Sequence, residues 1–290
     1  MSGGDFVQRF LFEGLDIRGA LVRLTDGWQS MLRGRSYGPV LSRLFGEMTV
    51  VTLMIGGQLK QPGRLTAQVR GNGALGLLVV DCDERLRLRG MATGAHDLAD
   101  APLPALLGDG QLVVTVQTDA SPTPYQSVVP LEGATVTEVF ERFLEQSEQQ
   151  PTALWLSADE SVACGLFLQK LPGADQRDAD GWARICHLAA TLTPAEMKTL
   201  DTGSLLMRLF HEDIAAGGIR VFDPVEPRHH CPRDEEKVRR LVLSLGRAEV
   251  ESILAEKGEV LIHDDMCNHD YRFDAGDIAR LFGDPPPAVH

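Results

Sequence analysis

The chain has 290 residues, of which 43% are hydrophobic and 24% charged, a balance that fits a globular protein with one large core and an appendage, or with two domains. Its 28 basic side chains stand against 41 acidic ones, a net charge of −13, so sequence-independent binding to a phosphate backbone is not expected. No apolar run reaches the roughly eighteen residues of a membrane span, Met1–Phe10 has no apolar signal region, and five scattered cysteines do not read as a secreted disulfide framework. These features point to a cytoplasmic protein in a reducing compartment.

An aromatic-rich opening (Phe6, Phe10, Phe12) leads into a strand over Ile17–Leu24. Pro39 starts a long helix, because its missing N–H has no partner in the first turn. Val40, Leu44, Met48, Val51 and Ile55 recur at helical spacing until Gly56-Gly57 stops it. Strands follow over Leu65–Val69, Leu75–Val80 and Leu86–Leu88, and the alternation in Leu86-Arg87-Leu88-Arg89 gives the last one a wet face. Cys82-Asp83-Glu84 reads as a turn, with Cys82 an exposed thiol and Asp81, Asp83 and Glu84 solvated. Gln111–Thr118 and Tyr125–Leu131 form another strand pair. Val136, Val139, Phe140, Phe143 and Leu144 lay a helix on the sheet, and Leu154–Leu156 and Ala163–Leu171 complete it. Meanders with helices inserted between them argue for α+β, an antiparallel-sheet core with packed helices.

After the core the pattern changes. A polar stretch, Asp175–Asp180, precedes three short helices over Trp182–Thr191, Pro194–Leu200 and Ser204–His211, none able to stand alone. They carry a large apolar surface that includes Trp182, Ile185, Leu205, Leu209 and Phe210, and Ala215-Ala216-Gly217-Gly218 reads as a flexible break. Two further helical stripes end at Gly246 and at Gly258, a C′ glycine. Val260–Ile262 and Tyr271–Phe273 flank the turn Asp264–Asp270 as a hairpin. Asp274 caps a last helix, and Gly283–His290, with three prolines, is a tail. The expected organisation is a core domain over 1–175, a metastable helical linker over 176–226, and a small helix–hairpin module over 227–290.

Two clusters bracket that module: His229-His230-Cys231 and His263-Asp264-Asp265-Met266-Cys267. Their spacing outlines a two-knuckle metal module with half of the usual thiols replaced. Cys164 and Cys186 fall on apolar positions and read as buried, inert thiols. Gly71-x-Gly73 has no following helix, so a phosphate loop is unsupported, and no nucleophile elbow is present.

Several short stretches occur together and in order: Val7-Gln8-Arg9-Phe10, Gly63-Arg64-Leu65-Thr66, Tyr125-Gln126-Ser127-Val128-Val129-Pro130-Leu131, Ser147-Glu148-Gln149-Gln150-Pro151, Leu168-Gln169-Lys170-Leu171-Pro172-Gly173 and Leu209-Phe210-His211-Glu212. With Cys231-Pro232-Arg233-Asp234 and Cys267-Asn268-His269-Asp270-Tyr271-Arg272-Phe273, the chain resembles the bacterial thirty-three-kilodalton heat-shock family, the redox-regulated holdase chaperones. The resemblance implies an ATP-independent holdase that binds unfolded client proteins on apolar surface of the linker and core, shut off by the C-terminal module, with homodimerisation on activation. It also implies one zinc held by a C-x-C and a C-x-x-C pair. Cys231 and Cys267 match the second and last of those cysteines, which places His229 and Asp264 at the first and third. The implied ligand set here is therefore His229, Cys231, Asp264 and Cys267, a mixture zinc accepts, with His230 and His263 adjacent. The alternative is a direct charge-assisted hydrogen bond between His229 and Asp264 in place of the metal.

In the family each knuckle closes its own disulfide and ejects zinc. Neither knuckle here holds two cysteines, so the remaining redox pair is Cys231–Cys267, a bond that would staple the knuckles together. The expectation is that oxidative activation is lost or much reduced and that heat, or loss of a weakly held metal, opens the linker instead. A reading from another class is a metal-dependent hydrolase using His229, His230, His263 and Asp264, against which stands the lack of a helical His-Glu-x-x-His pattern.

Overall fold

The computed structural model describes residues 4–59, 61–121 and 123–283; the proline-bearing tail beyond Gly283 lies outside the described residues. The chain divides into two units, Met1–His230 and Cys231–His290.

The first unit runs β1 (Phe6–Phe12), β2 (Ile17–Leu24), α1 (Asp26–Leu32), α2 (Pro39–Gly56), β3 (Gly63–Arg70), β4 (Leu75–Asp83), β5 (Arg87–Gly94), α3 (Leu103–Leu107), β6 (Gln111–Thr118), β7 (Tyr125–Pro130), α4 (Val136–Glu148), β8 (Thr152–Ala158) and β9 (Ala163–Lys170). The helices of the stretch expected to form a linker, the linker helices, follow within the same unit as α5 (Ala174–Arg177), α6 (Gly181–Ala189), α7 (Pro194–Thr199) and α8 (Thr202–Gly217), and then come β10 (Ile219–Val221) and β11 (Arg228–His229). One sheet has the order β10-β1-β2-β9-β8 and the other β11-β5-β4-β3-β6-β7. Every pairing is antiparallel except β11 on β5. The α+β class expected from the meanders is the one observed.

Helix α2 packs against strands of both sheets, which explains its composition. It is 18 residues long and apolar enough to cross a membrane by length and composition, yet 78% of it is buried. A helix that is apolar all round belongs in the middle of a core. Its Phe45, Met48 and Leu53 pack in one cluster with Trp28, Phe140 and Phe167. Gly46 lets the helix approach closely, since a Cβ there would collide with the Ala158 methyl.

The opposite face of the five-stranded sheet is covered by the linker helices. Phe10, Phe12, Ile17, Leu21, Leu166 and Leu168 from the strands form a second apolar cluster with Ile185, Leu205, Leu206, Leu209 and Phe210 from the helices. With both faces covered, β2 and β9 do not alternate: apart from Arg18 and Lys170 every residue in them is buried. Each large side chain so buried contributes about 1.5–3 kcal/mol, and this holds helices that could not persist alone.

The structure corrects several expectations. Helix α8 continues through the supposed break to Gly217, is non-helical only at Phe210 (φ −130°), and stops where Gly218 turns to φ 79°. Cys82 lies in β4, not in a turn, and is fully buried. Its neighbours Asp81 and Asp83 are buried too, on the other face of the strand. Arg64 and Arg89 grip Asp81, at 3.2 and 2.8 Å, and Arg87 grips Asp83 at 2.6 Å. The wet face of β3–β5 is therefore an arginine–aspartate lattice, and the turn comes after it, at Leu86 (φ 54°).

The second unit contains α9 (Glu235–Leu245), α10 (Arg247–Lys257), β12 (Val260–Asp264), β13 (His269–Phe273) and α11 (Ala275–Leu281). Val242, Val250, Val260 and Ile278 form its small core. The hairpin register runs from Val260↔Phe273 to Asp264↔His269, and Asp274 caps α11 reciprocally with Asp277.

Candidate functional site

The hairpin turn is built to present Cys267. Asp264 Oδ1 accepts the N–H groups of Met266 and Cys267 at 3.1 and 3.4 Å, folding the chain back on itself. Asn268 then takes φ 53°, a left-handed conformation that asparagine tolerates. Cys267 is bonded to Cys231, 36 positions away in sequence, with Cα atoms 5.4 Å apart. The segment after Cys231 is laid along β13 by two further ties. Tyr271 Oη accepts the Asp234 N–H at 2.9 Å, and Arg233 donates to the Asp270 carbonyl at 3.0 Å. Closing a loop of this length stabilises the folded form by about 4 kcal/mol on the chain-entropy model.

Of the four residues matched to zinc ligands, Cys231 and Cys267 are brought together as a disulfide, and Asp264 caps the turn. His229 lies in β11, in the first unit, opposite Leu88 of β5, and His230 N–H continues the pairing to the Leu88 carbonyl at 2.8 Å. His263 Nδ1 is 2.8 Å from Asp270 Oδ1, a hydrogen bond that holds the Asp270 carboxyl below its ordinary range. Zinc binds deprotonated sulfur, imidazole nitrogen or carboxylate oxygen, and the donors must be free to converge. Here the two sulfurs are spent on each other and the Asp264 carboxylate receives backbone N–H groups. Among the described residues no three His, Cys, Asp or Glu side chains are grouped to hold a metal ion. The residues as arranged do not fit a zinc centre.

The remaining thiols offer no substitute. Burial pushes Cys82 up to about 12 and Cys164 and Cys186 up to about 11, so none is a thiolate at neutral pH and none is a ready nucleophile.

The second element of the site is the cover of linker helices, pinned by polar contacts. Arg23, buried in β2, donates to the Met197 carbonyl at 2.8 and 3.2 Å and also to the Leu200 carbonyl, closing the end of α7. Lys198 reaches Asp159 at 2.5 Å, and Arg184 joins Asp178 to Asp213 at 2.9 Å each. Thr193 and Glu196 form a reciprocal cap on α7, and Asp201 caps α8 through the Ser204 N–H. Burial alone would raise the Asp159 carboxyl, but Lys198 and the Ser161 and Val162 donors outweigh it and pull it well down. Asp178 is lowered by Arg184, Glu196 by Thr193 and Asp201 by Ser204. Downstream, β10 clips to β1 and β11 to β5, one on each sheet.

A family model described as Hsp33 protein matches residues 5–274. The chain belongs to the Hsp33 family. It is 39% identical over 279 residues to a 33 kDa chaperonin of Shewanella sp. (strain ANA-3), covering 96% of each chain. A 33 kDa chaperonin of Nitrosococcus oceani is 37% identical over 282 residues, covering 97% of this chain and 96% of the relative. The crystal structure of the 33 kDa chaperonin of Thermotoga maritima superposes with a TM-score of 0.81 at 20% identity, covering 97% of this chain and 98% of that one, a likeness of fold. Within this Hsp33-family chain, the residues that sequence reasoning missed are those that fasten the linker: Arg23, Asp159 and Lys198. Their one visible signal is Arg23, the second arginine of the Ile17–Leu24 strand, set between Val22 and Leu24, a charge with no reason to be there unless something covers it with acceptors.

Proposed function

We propose that this Hsp33-family chain is an ATP-independent holdase chaperone that binds unfolding proteins on the apolar surface shared by its linker helices and the five-stranded sheet. Family membership supports the chaperone class. The observation that carries the mechanism is the second apolar cluster, in which short helices supply Ile185, Leu205, Leu206, Leu209 and Phe210 to cover strand residues such as Phe10 and Leu166. Lifting those helices uncovers a contiguous apolar face, and such a face on a monomer is a binding surface. The helices are marginal and their pins are few, so temperature governs the release. The site of action is the cytoplasm, the partners are unfolded clients, and the active form is a homodimer. Cys231 and Cys267 act as a reversible tie, and no step in this reading passes through zinc. No observation favours a hydrolase built on His229, His230, His263 and Asp264.

The test is aggregation of a heat-unfolding client, followed by light scattering against temperature under fully reducing conditions. Suppression is expected to rise steeply over the interval in which the linker helices lose protection. Absence of suppression at every temperature overturns the proposal.

A further inference from the structure

Strand β7 is the last strand of the six-stranded sheet and pairs on one side only, with β6. One edge of the other sheet, β8, is flanked by α4 and α7, whereas β7 has β6 as its one broad packing partner. It carries the two most exposed large apolar side chains among the described residues, Tyr125 at 70% and Val128 at 58%. An open edge is a template for another strand, and proteins ordinarily blunt it with charge. Here neither β7 nor β6 behind it holds a charged residue, although 24% of the chain is charged. The ladder fixes which backbone groups face outward. The Leu88 carbonyl of β5 accepts the His230 N–H and so points to β11. Alternation then carries through the registers of β4, β3 and β6. On β7 it leaves Tyr125, Ser127 and Val129 bonded to β6, with Gln126, Val128 and Pro130 facing out. Pro130 agrees, since it has no N–H to give and its carbonyl takes the Glu132 N–H at 2.9 Å.

We propose that β7 pairs antiparallel with β7 of a second copy of this chain, about a two-fold axis at Ser127, joining two six-stranded sheets into one. The sequence around Ser127 is symmetric in the property that matters. The outward N–H groups are those of Gln126 and Val128, and they are bracketed by Pro124 and Pro130, which have none. Centring the pair on Ser127 sets Gln126 of each copy against Val128 of the other, so both outward N–H and both outward C=O groups are satisfied. A shift of two residues either way sets a proline against Gln126 or Val128 and leaves a carbonyl unpaired. The same register lays the exposed Tyr125 ring across from Val129 of the second copy. It brings no like charges together, in a chain whose net charge is −13. Such a contact is isologous and closes on itself, and being short it is reversible. The edge is open with the linker helices in place, so concentration and not redox state sets the pairing. This rests on the homodimer of the reading above and gives it an interface.

The experiment follows the full-length protein by sedimentation velocity over a range of concentrations, with the Cys231–Cys267 bond formed and reduced. A reversible dimer is expected in both forms. Gln126→Pro removes one outward donor from each copy, at a position where an edge strand tolerates proline. It is expected to weaken the dimer about tenfold or more with circular dichroism unchanged. Ser127→Cys is expected to crosslink two copies under mild oxidation, because Cα atoms at the axis lie about 4.5 Å apart, within disulfide reach. Gln126→Cys places its Cα atoms about 9 Å apart across the same axis and is expected not to crosslink, with the wild-type protein giving the background of the native cysteines. A dimer that Gln126→Pro leaves intact, or that Gln126→Cys crosslinks as readily as Ser127→Cys, overturns the interface and leaves the homodimer standing on another surface. A monomer at every concentration overturns both. Exchange protection of the Gln126 and Val128 amides by an unfolding client, in a protein that stays monomeric, gives the edge to clients and likewise overturns the proposal.

Discussion

Two sulfur atoms settle how the second unit is closed. The Cys231–Cys267 bond spans a sequence separation of 36, against a small apolar core built on Val242, Val250, Val260 and Ile278. Removing the crosslink is expected to cost about 4 kcal/mol, a large fraction of what so small a core supplies. Cys231→Ser should therefore speed amide hydrogen exchange at Val242 and Val250 by up to roughly a thousandfold, at about 1.4 kcal/mol per tenfold, while the amides of α2 stay protected. Unchanged exchange at the two valines would show that the bond adds nothing. The sequence made this pairing visible, since each knuckle holds a single cysteine. It hid the role of Asp264, because a carboxylate just before a turn serves equally well as metal ligand or as acceptor for the following N–H groups. Cys82 was misplaced for a related reason: an acidic pair beside it looks solvated until its arginine partners are found on the neighbouring strands.

Among elements, the linker helices lean on several lowered carboxylates, whereas the core sets Asp83, lowered by Arg87 despite its burial, against two carboxyls that burial raises, and acid separates the two. Asp159, Asp178, Glu196 and Asp201 all have lowered pKa values. A lowered carboxylate stabilises the fold above its unfolded value, near 4, and that contribution is lost as the pH falls through the folded value. Glu47 on α2 and Glu141 on α4 are raised by burial, so protonation of these two relieves a cost as the pH falls. Acidification from about pH 5 to pH 3 should therefore release α6–α8 before the core melts, with no change between pH 6 and pH 8. Exchange protection of residues 181–217, alongside binding of an apolar dye, reads this directly, and simultaneous loss of α2 and linker protection would refute it. Strong periodicity made α2, α4, β3 and β6 legible in the sequence. The two-residue β11 and three-residue β10 have no period to read, and Ala-Ala-Gly-Gly looks like a break unless the packing of Leu209 and Phe210 that carries α8 past it is known.

At the scale of the whole molecule the thiol chemistry has the opposite polarity to that expected of two-cysteine knuckles. The one bond available joins the two knuckles, and it closes the unit. No second thiol stands beside either cysteine, and Cys82, Cys164 and Cys186 are held protonated by burial. Oxidation can therefore only add constraint. If linker release is linked to loosening of the second unit, reduction lowers the temperature at which client binding begins; if the units are independent, redox state changes nothing. In neither case does peroxide lower it. Light scattering of a client with reduced protein, peroxide-treated protein and the Cys231→Ser/Cys267→Ser variant compares the onsets. Reduced and variant proteins are expected to share one onset, and the oxidised protein to match or exceed it by several degrees. A chelator should leave the oxidised onset in place, because neither sulfur is available to a metal. Peroxide converting an inactive protein into a strong suppressor, in a manner abolished by the double variant, would reverse the assignment and restore release by oxidation.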